Sequence, residues 1–425
     1  TALQWIATGY TLAFALTLIT GGRLGDHYGH RAVFVAGTAG FGVGSLVAGL
    51  APNITVLLVA RVAQGVSAGL MVPQVLSFIH AEFPAGERGT AMGFFGMTFP
   101  IGGLAGPLLG GLLTQADLFG WHWRTVFFVN VPIALAAAVG AVLVMPVRRP
   151  GRAAADVPGV LVLAAALLAV LYPLVQGREL GWPAWTFVLM AAAVPVLALF
   201  VVHQRARERR GREPLISMRL FRSRATSVGL LVMLVFYCGM AAFFVLTLHL
   251  QNGLHYSPLK TALAMLPATV GIVAGNGIGM PMAPKLGRAL PMTGLAVLLA
   301  GAASLAYVVA EHGASLSPWH MVIPVVLYGA GLGLGASSLM LITMSGARES
   351  DAGAVSGVVN TVVQLGMAAG PATVGTVFFT SLGHRDSVPD SVTATTTSLL
   401  AGMALFVVAL LACFLLPRRA RSLRG

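Results

Sequence analysis

Long apolar segments separated by short polar connections run through the whole chain. A helix needs about 20 residues to cross about 30 Å of hydrocarbon, and thirteen segments have that length. They lie near residues 2–20, 33–52, 55–79, 89–114, 125–146, 157–176, 183–202, 225–250, 259–282, 291–310, 319–344, 353–380 and 394–416. Very short connections make successive helices antiparallel. The pattern predicts an all-α, polytopic membrane protein with thirteen transmembrane helices in this chain.

The composition supports a membrane protein and excludes other classes. Of the 425 residues, 57% are hydrophobic and 9% are charged, whereas soluble domains carry about 25% charged residues. Cys238 and Cys413 lie inside apolar segments without the spacing of a disulfide framework or a zinc site. The residues behind the net charge of +13 form short basic clusters between apolar segments, not a nucleic-acid-binding face. We therefore expect no metal, no cofactor and no nucleic-acid partner.

Basic residues concentrate in alternate connections, which predicts the orientation in the membrane. Lys and Arg resist translocation and stay on the cytoplasmic side. The basic connections include the segment from His203 to Arg224 and the C-terminal tail, while the opposite side holds only Arg124, Arg178, Lys260 and Arg385. All six tryptophans lie at segment ends on this basic-poor side, as in an aromatic belt. We expect residue 1 outside and the C-terminus in the cytoplasm.

A motif of glycines and proline occurs twice. Gly102, Gly106, Pro107 and Gly111 have counterparts at Gly366, Gly370, Pro371 and Gly375, with the same offset at every position. The copies lie eight segments apart, which preserves orientation, so we expect two parallel repeats as found in transporters. The predicted organisation is an N-terminal bundle over 1–146, two inserted helices and a basic cytoplasmic linker over 147–223, and a C-terminal six-helix bundle over 224–425.

The N-terminal bundle holds one predicted helix fewer than its repeat, and the sequence does not begin with Met. We therefore expect a further helix upstream and fourteen helices in the full-length protein. Without that helix, the small-residue face at Gly65 and Gly69 is expected to lack a packing partner.

Arg61 is a cation within an apolar segment, about 9 Å from its outer end at 1.5 Å per residue. Ionisable residues inside a membrane usually face a bundle interior or an aqueous cavity and carry function. The alternative is a side chain that snorkels to the outer interface. We interpret Arg61 and Gln64, which follows on the same helix, as candidates for proton coupling and transport.

Two segments are candidates for conformational gating. The connection from 22 to 31 contains Gly22, Asp26, Gly29 and Arg31. Its glycines permit a tight turn, and its two charges pair with each other or meet helix termini; the alternative is a solvated turn. The segment with Gly102, Gly106, Pro107, Gly110 and Gly111 has low helix propensity throughout, which predicts a bendable helix.

Polar side chains inside other segments are weaker signals. Candidates for cavity lining are Gln74, Asn276, Asn360 and Gln364, although such amides also bond neighbouring helices. His80, His122, His203, His249 and His320 lie near segment ends, where an interfacial position is the simpler interpretation.

These motifs together resemble the major facilitator superfamily, and specifically its fourteen-helix drug:proton antiporter family. The resemblance spans essentially the whole chain. Residues 22–31 resemble the loop between the second and third helices, 57–69 the fourth-helix motif whose arginine is implicated in proton transfer, 102–111 the fifth-helix antiporter motif, and 123–132 the start of the sixth helix. His27 and His30 stand where the loop pattern prefers Arg or Lys.

The resemblance implies a multi-pass transporter of a bacterial inner (plasma) membrane. It would export amphipathic small molecules, such as drugs or antibiotics, in exchange for protons by alternating access. Its partners would be the substrate, protons and the lipid bilayer; it would be a monomer, powered by the proton gradient without a cofactor. The family commonly carries an Asp on the first helix, yet the 13 Asp and Glu residues here map to connections or segment ends. An uncoupled facilitator or importer therefore stays open as an alternative. A membrane-embedded enzyme is disfavoured, because the sequence shows no constellation of acid, base and nucleophile within the apolar segments.

We expect the linker from His203 to Arg224 on the cytoplasmic side and the connection from Leu254 to Ser257 outside. In a background lacking Cys238 and Cys413, a cysteine at Ser223 should be protected from an impermeant maleimide in intact cells, and a cysteine at Ser257 should react. Labelling of the Ser223 position from outside would reverse the predicted orientation.

Overall fold

The apolar segments form helices. The computed structural model describes residues 2–84, 86–88, 90–95, 98, 102, 106, 109–110, 113, 120–147, 156–177, 180–345, 352–383 and 387–417. Its principal helices are α1 Ala2–Tyr28, α2 His30–Gly49, α3 Ile54–Glu82, α4 Asn130–Val144, α5 Val157–Gln176, α6 Ala184–Arg209, α7 Arg224–Gly239, α8 Ala241–Leu248, α9 Pro258–Leu286, α10 Ala289–His312, α11 Pro318–Met344, α12 Ala352–Leu382 and α13 Val388–Cys413. Thr125–Phe128 forms a single α-helical turn, His122–Arg124, Leu220–Arg222 and Gly313–Ser315 form 3₁₀ turns, and His249–Gly253 forms a π-helical turn. These described residues contain no strand.

Eleven helical segments in the described part of the chain are long and apolar enough to cross a membrane. Each corresponds to one of the predicted segments. The two remaining predictions fall on α1, which is helical over Ala2–Tyr28, and on residues 89–114, which lie largely outside the described residues. The all-helical membrane class is confirmed, and the count of thirteen stays a prediction.

The connection between the first two helices is shorter than the sequence predicts. α1 continues through Gly22 and Asp26 to Tyr28, and α2 begins at His30. Gly29 alone separates the helices, with φ of 91°, a conformation that only glycine adopts readily. The predicted loop over 22–31 is therefore wrong in extent, because a single residue of positive φ is enough to end one helix and start the next.

The chain divides into two compact units. The first comprises residues 1–83, 109–220 and 347–361, and the second comprises 84–108, 221–346 and 362–425. The inserted helices α5 and α6 belong to the first unit, in which α5 packs on α1. The organisation that the sequence suggests, with boundaries at 146 and 223, stays a prediction.

Each unit repeats the same helix pairing. In the first unit, α3 packs on α1 and α2, and α2 packs on α4. In the second unit, α11 packs on α9 and α10, and α10 packs on α13. The paired helices α3 and α11 begin at Ile54 and Pro318, which are separated by the same offset as the two copies of the glycine and proline motif. This correspondence supports the predicted repeat.

Glycines allow the close helix contacts at the centre of each unit. A Cβ on Gly69 of α3 would lie 2.7 Å from the Cβ of Thr17 on α1, and one on Gly65 would meet the α1 backbone. Gly329 and Gly333, their counterparts at the offset of the repeat, lie in the same way against the backbone of α9. The expectation that Gly65 and Gly69 lack a packing partner is wrong, because α1 covers them.

Buried Asp156 ties the C-terminal part of α6, which continues to Arg209, to the start of α5. Its carboxylate accepts hydrogen bonds from the backbone N–H of Gly159 at 3.1 Å and from Gln204 Nε2 at 2.8 Å, and it lies 2.9 Å from His203 Nε2 and 3.5 Å from Arg207. Burial raises the pKa of Asp156, but the hydrogen bonds and Arg207 together lower that pKa below its usual value. The cluster therefore stabilises the fold above the ordinary carboxyl range, and this contribution is lost as the pH falls.

Two glycines of the second unit provide a matched test of packing. A Cβ on Gly331 would overlap the backbone of Leu298 on α10, whereas one on Gly277 would meet no atom within 4 Å. Gly331→Ala should lower the melting temperature of the solubilised protein, since overpacking costs about 1–3 kcal/mol. Gly277→Ala should leave it unchanged or raise it, because alanine is the better helix former by about 1 kcal/mol. Equal melting temperatures, measured by fluorescence-detected size exclusion, would contradict the close α10–α11 contact.

Candidate functional site

Arg61 is held within the first unit by groups from three helical segments. Its Nε donates to the backbone carbonyl of Ile6 at 3.0 Å, and its guanidinium carbon lies 4.4 Å from the centroid of the Tyr10 ring on α1. The Phe127 ring lies on another side, 5.9 Å away. A cation over an aromatic face gains about 0.5–2 kcal/mol, depending on how far the pair is removed from water. The guanidinium is therefore fixed by protein contacts and half-buried.

Gln64 extends this contact to α2. Arg61 NH1 donates to Gln64 Oε1 at 3.0 Å, and Gln64 Nε2 donates to the Ser45 hydroxyl at 2.6 Å. Gln64 is fully buried, so its amide oxygen and nitrogen both find partners away from water. The structure thus brings together the two residues singled out for coupling and adds Tyr10 and Ser45. Nothing in the sequence pointed to those two, because they lie on other helices.

Asp26 meets the N-terminus of a helix. Its Oδ1 accepts a hydrogen bond from the backbone N–H of Gly353 at 3.2 Å, which is one of the N–H groups that have no partner within α12. The carboxylate also lies 3.5 Å from Arg23 and 3.9 Å from His30. A negative charge at this end is stabilised by the helix dipole, typically by about 0.3–1 kcal/mol. Of the alternatives left open for this charge, the structure shows the helix terminus.

Gly22 and Gly353 make this contact possible. A Cβ on Gly22 would overlap the carbonyl of Gly353, and a Cβ on Gly353 would overlap both the Gly22 carbonyl and the Asp26 carboxylate. Any larger residue at either position would push α12 away from α1. Gly353 was not identified from the sequence, because 327 residues separate it from Asp26.

Arg31 meets a helix terminus of the opposite polarity. Its NH1 donates to the carbonyl of Met145, the residue that caps the C-terminal end of α4, at 3.3 Å. Nearby in the sequence, Arg23 donates to the carbonyl of Pro214 and lies 3.8 Å from Glu213. The residues around Gly29 are therefore bonded to α4, to α12 and to the basic linker within the first unit. A freely solvated turn does not describe them.

The amides suggested for cavity lining have different surroundings. Gln74 is fully buried, donates to the carbonyls of Gly21 and Leu70, both at 2.7 Å, and contacts His30. Asn276 accepts a hydrogen bond from Ser337 on α11. These contacts join neighbouring helices, which was the alternative interpretation.

Two further amides lie on α12. Asn360 donates to the carbonyl of Ser356 one turn earlier at 2.9 Å, and Gln364 is half-buried. That any of the four amides lines a cavity stays a prediction.

The glycine-rich segment is only partly described. Gly102, Gly106 and Gly110 are helical; Gly102 and Gly106 are exposed and Gly110 is half-buried, and a Cβ on any of them would meet no described atom within 4 Å. Pro107 and Gly111 lie outside the described residues. In the repeat, by contrast, a Cβ on Gly366 or Gly370 would lie 2.8 or 2.7 Å from atoms of the segment Leu234 to Ala241. Close approach is thus observed for the second copy, and gating by the first copy stays a prediction.

The site contains two charged groups that protein contacts fix in position, the Arg61 guanidinium and the Asp26 carboxylate. Arg61 supplies a cation, Gln64 an amide and Ser45 a hydroxyl, and Asp26 supplies a carboxylate at the other end of α1. Among the described residues, no group of three or more His, Cys, Asp or Glu is placed to hold a metal ion. The arrangement supports electrostatic control of helix contacts rather than bond-making chemistry.

Comparison with known proteins identifies relatives over most of the chain. The family described as the Major Facilitator Superfamily matches residues 1–371. A protein of Streptomyces coelicolor named as a probable actinorhodin transporter is 41% identical over 407 residues, which cover 95% of this chain and 70% of that protein. The tetracenomycin C resistance and export protein of Streptomyces glaucescens is 32% identical over 91% of this chain and 70% of its own length.

A solved structure shows the same fold. The major facilitator superfamily proton:xylose symporter bound to 6-bromo-6-deoxy-D-glucose covers 97% of this chain and 85% of its own, with a TM-score of 0.64 and 14% sequence identity. Identity at this level establishes the helical architecture alone.

Arg61→Ala should leave a folded, monodisperse protein that no longer transports. Arg61→Lys should restore transport only in part, since an ammonium cannot reproduce the separate bonds of Nε and NH1. Val62→Ala, at the exposed adjacent position, serves as the matched control and should transport normally. Loss of folded protein in both Arg61 variants, seen by size exclusion, would assign the arginine a structural role instead.

Proposed function

This chain belongs to the major facilitator superfamily, and we propose that it exports an amphipathic small molecule of antibiotic type in exchange for protons. The observation that carries the proposal is the 41% identity over 95% of the chain with the probable actinorhodin transporter. A second relative is named for resistance to tetracenomycin C and its export. Transport is a property of the family, and an enzymatic activity is excluded on that ground. Export by this chain, and its substrate class, are inferred from these relatives.

The proposal includes the placement in the membrane. The chain would contribute thirteen spans to a multi-pass monomer in the bacterial plasma membrane, with the C-terminus and the basic linker on the cytoplasmic side. The eleven described spans and the concentration of arginines between His203 and Arg224 support this arrangement.

Alternating access would use contacts of the kind seen at Asp26. A carboxylate against the N–H of Gly353 gains about 0.3–1 kcal/mol from the helix dipole, an energy small enough to be lost and regained in every cycle. The glycines at 22 and 353 allow the two backbones to approach without rearrangement of side chains. We therefore assign this contact the role of a latch that favours one access state.

Proton coupling requires a group whose protonation changes during the cycle. Arg61 stays charged at any working pH, so it would act through its field rather than as a carrier. The Asp and Glu residues of the described part lie in connections or at helix ends. An uncoupled facilitator or importer is therefore the alternative that the transport assay must separate from an antiporter.

The test uses the full-length protein in liposomes that enclose a pH-sensitive dye. The liposomes are made acidic inside. Addition of actinorhodin or tetracenomycin C should then cause protons to leave the liposomes, and the pH gradient should drive accumulation of the compound inside against its own gradient. Arg61→Ala proteoliposomes provide the inactive control. Substrate equilibration that ignores the pH gradient would support the uncoupled facilitator, and no movement of either compound would exclude this substrate class.

A further inference from the structure

His249 is fully buried in the second unit. It begins the π-helical turn His249–Gly253 that follows α8. Such turns are rare and frequently occur at functional sites. The ring is therefore covered by protein, with α13 and the turn itself beside it, and the position near the membrane interface expected from the sequence stays a prediction.

One nitrogen of the ring has a partner and the other has none in the described part of the chain. His249 Nδ1 lies 2.8 Å from the hydroxyl of Ser391 on α13, whereas Nε2 is buried without a hydrogen bond. A Cβ on Gly253 would lie 3.0 Å from His249 Nδ1 and would overlap the Ser391 hydroxyl. Glycine at this position therefore permits the His249–Ser391 contact.

A buried nitrogen without a partner is unusual, since about 90% or more of buried polar groups are hydrogen-bonded. The other such atoms in the described residues are the hydroxyls of Ser77 and Tyr328 and Nδ1 of His27, a half-buried side chain near the end of α1. The two hydroxyls do not titrate near neutral pH. An imidazole does, with an ordinary pKa of about 6.5.

None of the described charged or titratable neighbours of His249 supplies a negative charge to Nε2. The turn packs against α8, α9 and α13. α8 carries no ionisable side chain, and Lys260 of α9 lies over the ring of Tyr256 at 3.6 Å. Asp390 of α13 is engaged with the hydroxyl of Ser387, and His255 after the turn is exposed. No acidic group among these described neighbours is paired with the imidazole.

We propose that His249 is a proton-binding site that couples transport to the proton gradient, an inference that rests on the proposed export function. With Nδ1–H donating to Ser391, Nε2 presents a free lone pair. A proton binds there to give an imidazolium, and no bond changes except this N–H. Because a buried unpaired charge is costly, the proton is taken up only when the site opens to water, and it is released when Nε2 meets water on the other side.

His249 would provide a group inside the second unit that binds and releases a proton, which the acidic residues of the described part do not provide. A carboxylate inside hydrocarbon must be neutralised or paired, whereas an imidazole is neutral when empty and charged when loaded. An imidazole that reaches water titrates near neutral pH, with an ordinary pKa of about 6.5. Arg61, in the other unit, is permanently charged and serves a different purpose.

The test compares two histidine variants of the full-length protein in liposomes. His249→Gln keeps a donor for Ser391 but does not titrate, and His312→Gln changes a partly exposed histidine of the same unit. Two assays are run: accumulation driven by a pH gradient, and exchange of labelled for unlabelled substrate without a gradient. His249→Gln should lose gradient-driven accumulation and keep exchange, with exchange rates that no longer depend on pH. His312→Gln should match the wild type in both assays.

Each outcome bears on a separate statement. A wild-type protein that exchanges substrate but never accumulates it would overturn the coupling in the proposed function. A coupled wild type with an equally coupled His249→Gln variant would overturn the role of His249 alone.

If His249→Gln does not fold, Ser391→Ala tests the same site with the histidine present. The imidazolium would then lose the acceptor of its Nδ1–H. The pH of half-maximal transport should therefore move to a more acidic value, and an unchanged profile would reject the proposal.

Discussion

A polar side chain inside a bilayer has no water to bond, so it must find its partner on another helix or on its own backbone. The first unit is organised around this requirement. Arg61 bonds Gln64 and the carbonyl of Ile6, Gln64 bonds Ser45, and Gln74 bonds carbonyls of two helices. Some of these bonds join α3 to α1 or α2, and the others lie within α3. They therefore help to fix the positions of α1, α2 and α3 relative to one another.

Close packing by glycine is the second consequence of the same solvent. Lipid tails are as apolar as leucine, so helices associate through tight van der Waals contact rather than through the hydrophobic effect. Gly65 and Gly69 against α1, and Gly329 and Gly333 against α9, provide that contact at equivalent positions of the two units. The repeat is therefore seen in the packing as well as in the sequence, because equivalent glycines allow the same close approach of helix backbones in each unit. The same device places Gly22 against Gly353, where it brings a carboxylate to a helix terminus.

The cost of burying charge also separates the tasks within the transporter. A permanent cation is retained where an aromatic ring, a backbone carbonyl and an amide oxygen contact it, as at Arg61. A carboxylate is retained at the helix end, as at Asp26. A group that gains and loses a proton in the interior is charged in one of its two states; an imidazole, as we propose for His249, is neutral before it takes up the proton. This division of charged groups is the physical basis of the proton coupling that we propose.

The sequence by itself determined the membrane class and the positions of eleven spans, and it indicated the repeat and the placement of Arg61 inside an apolar segment. These follow from hydropathy and spacing, which are local quantities: each residue contributes its own transfer free energy wherever its neighbours lie. It could not determine that α1 runs to Tyr28, that Asp26 meets Gly353, that Arg61 lies over Tyr10, or that His249 is enclosed with one nitrogen free. Those facts depend on which helix faces meet, and residues as far apart as 327 positions form the contacts. Only the tertiary structure decides them, because the energy of a buried polar group is set by the partner that packing brings to it.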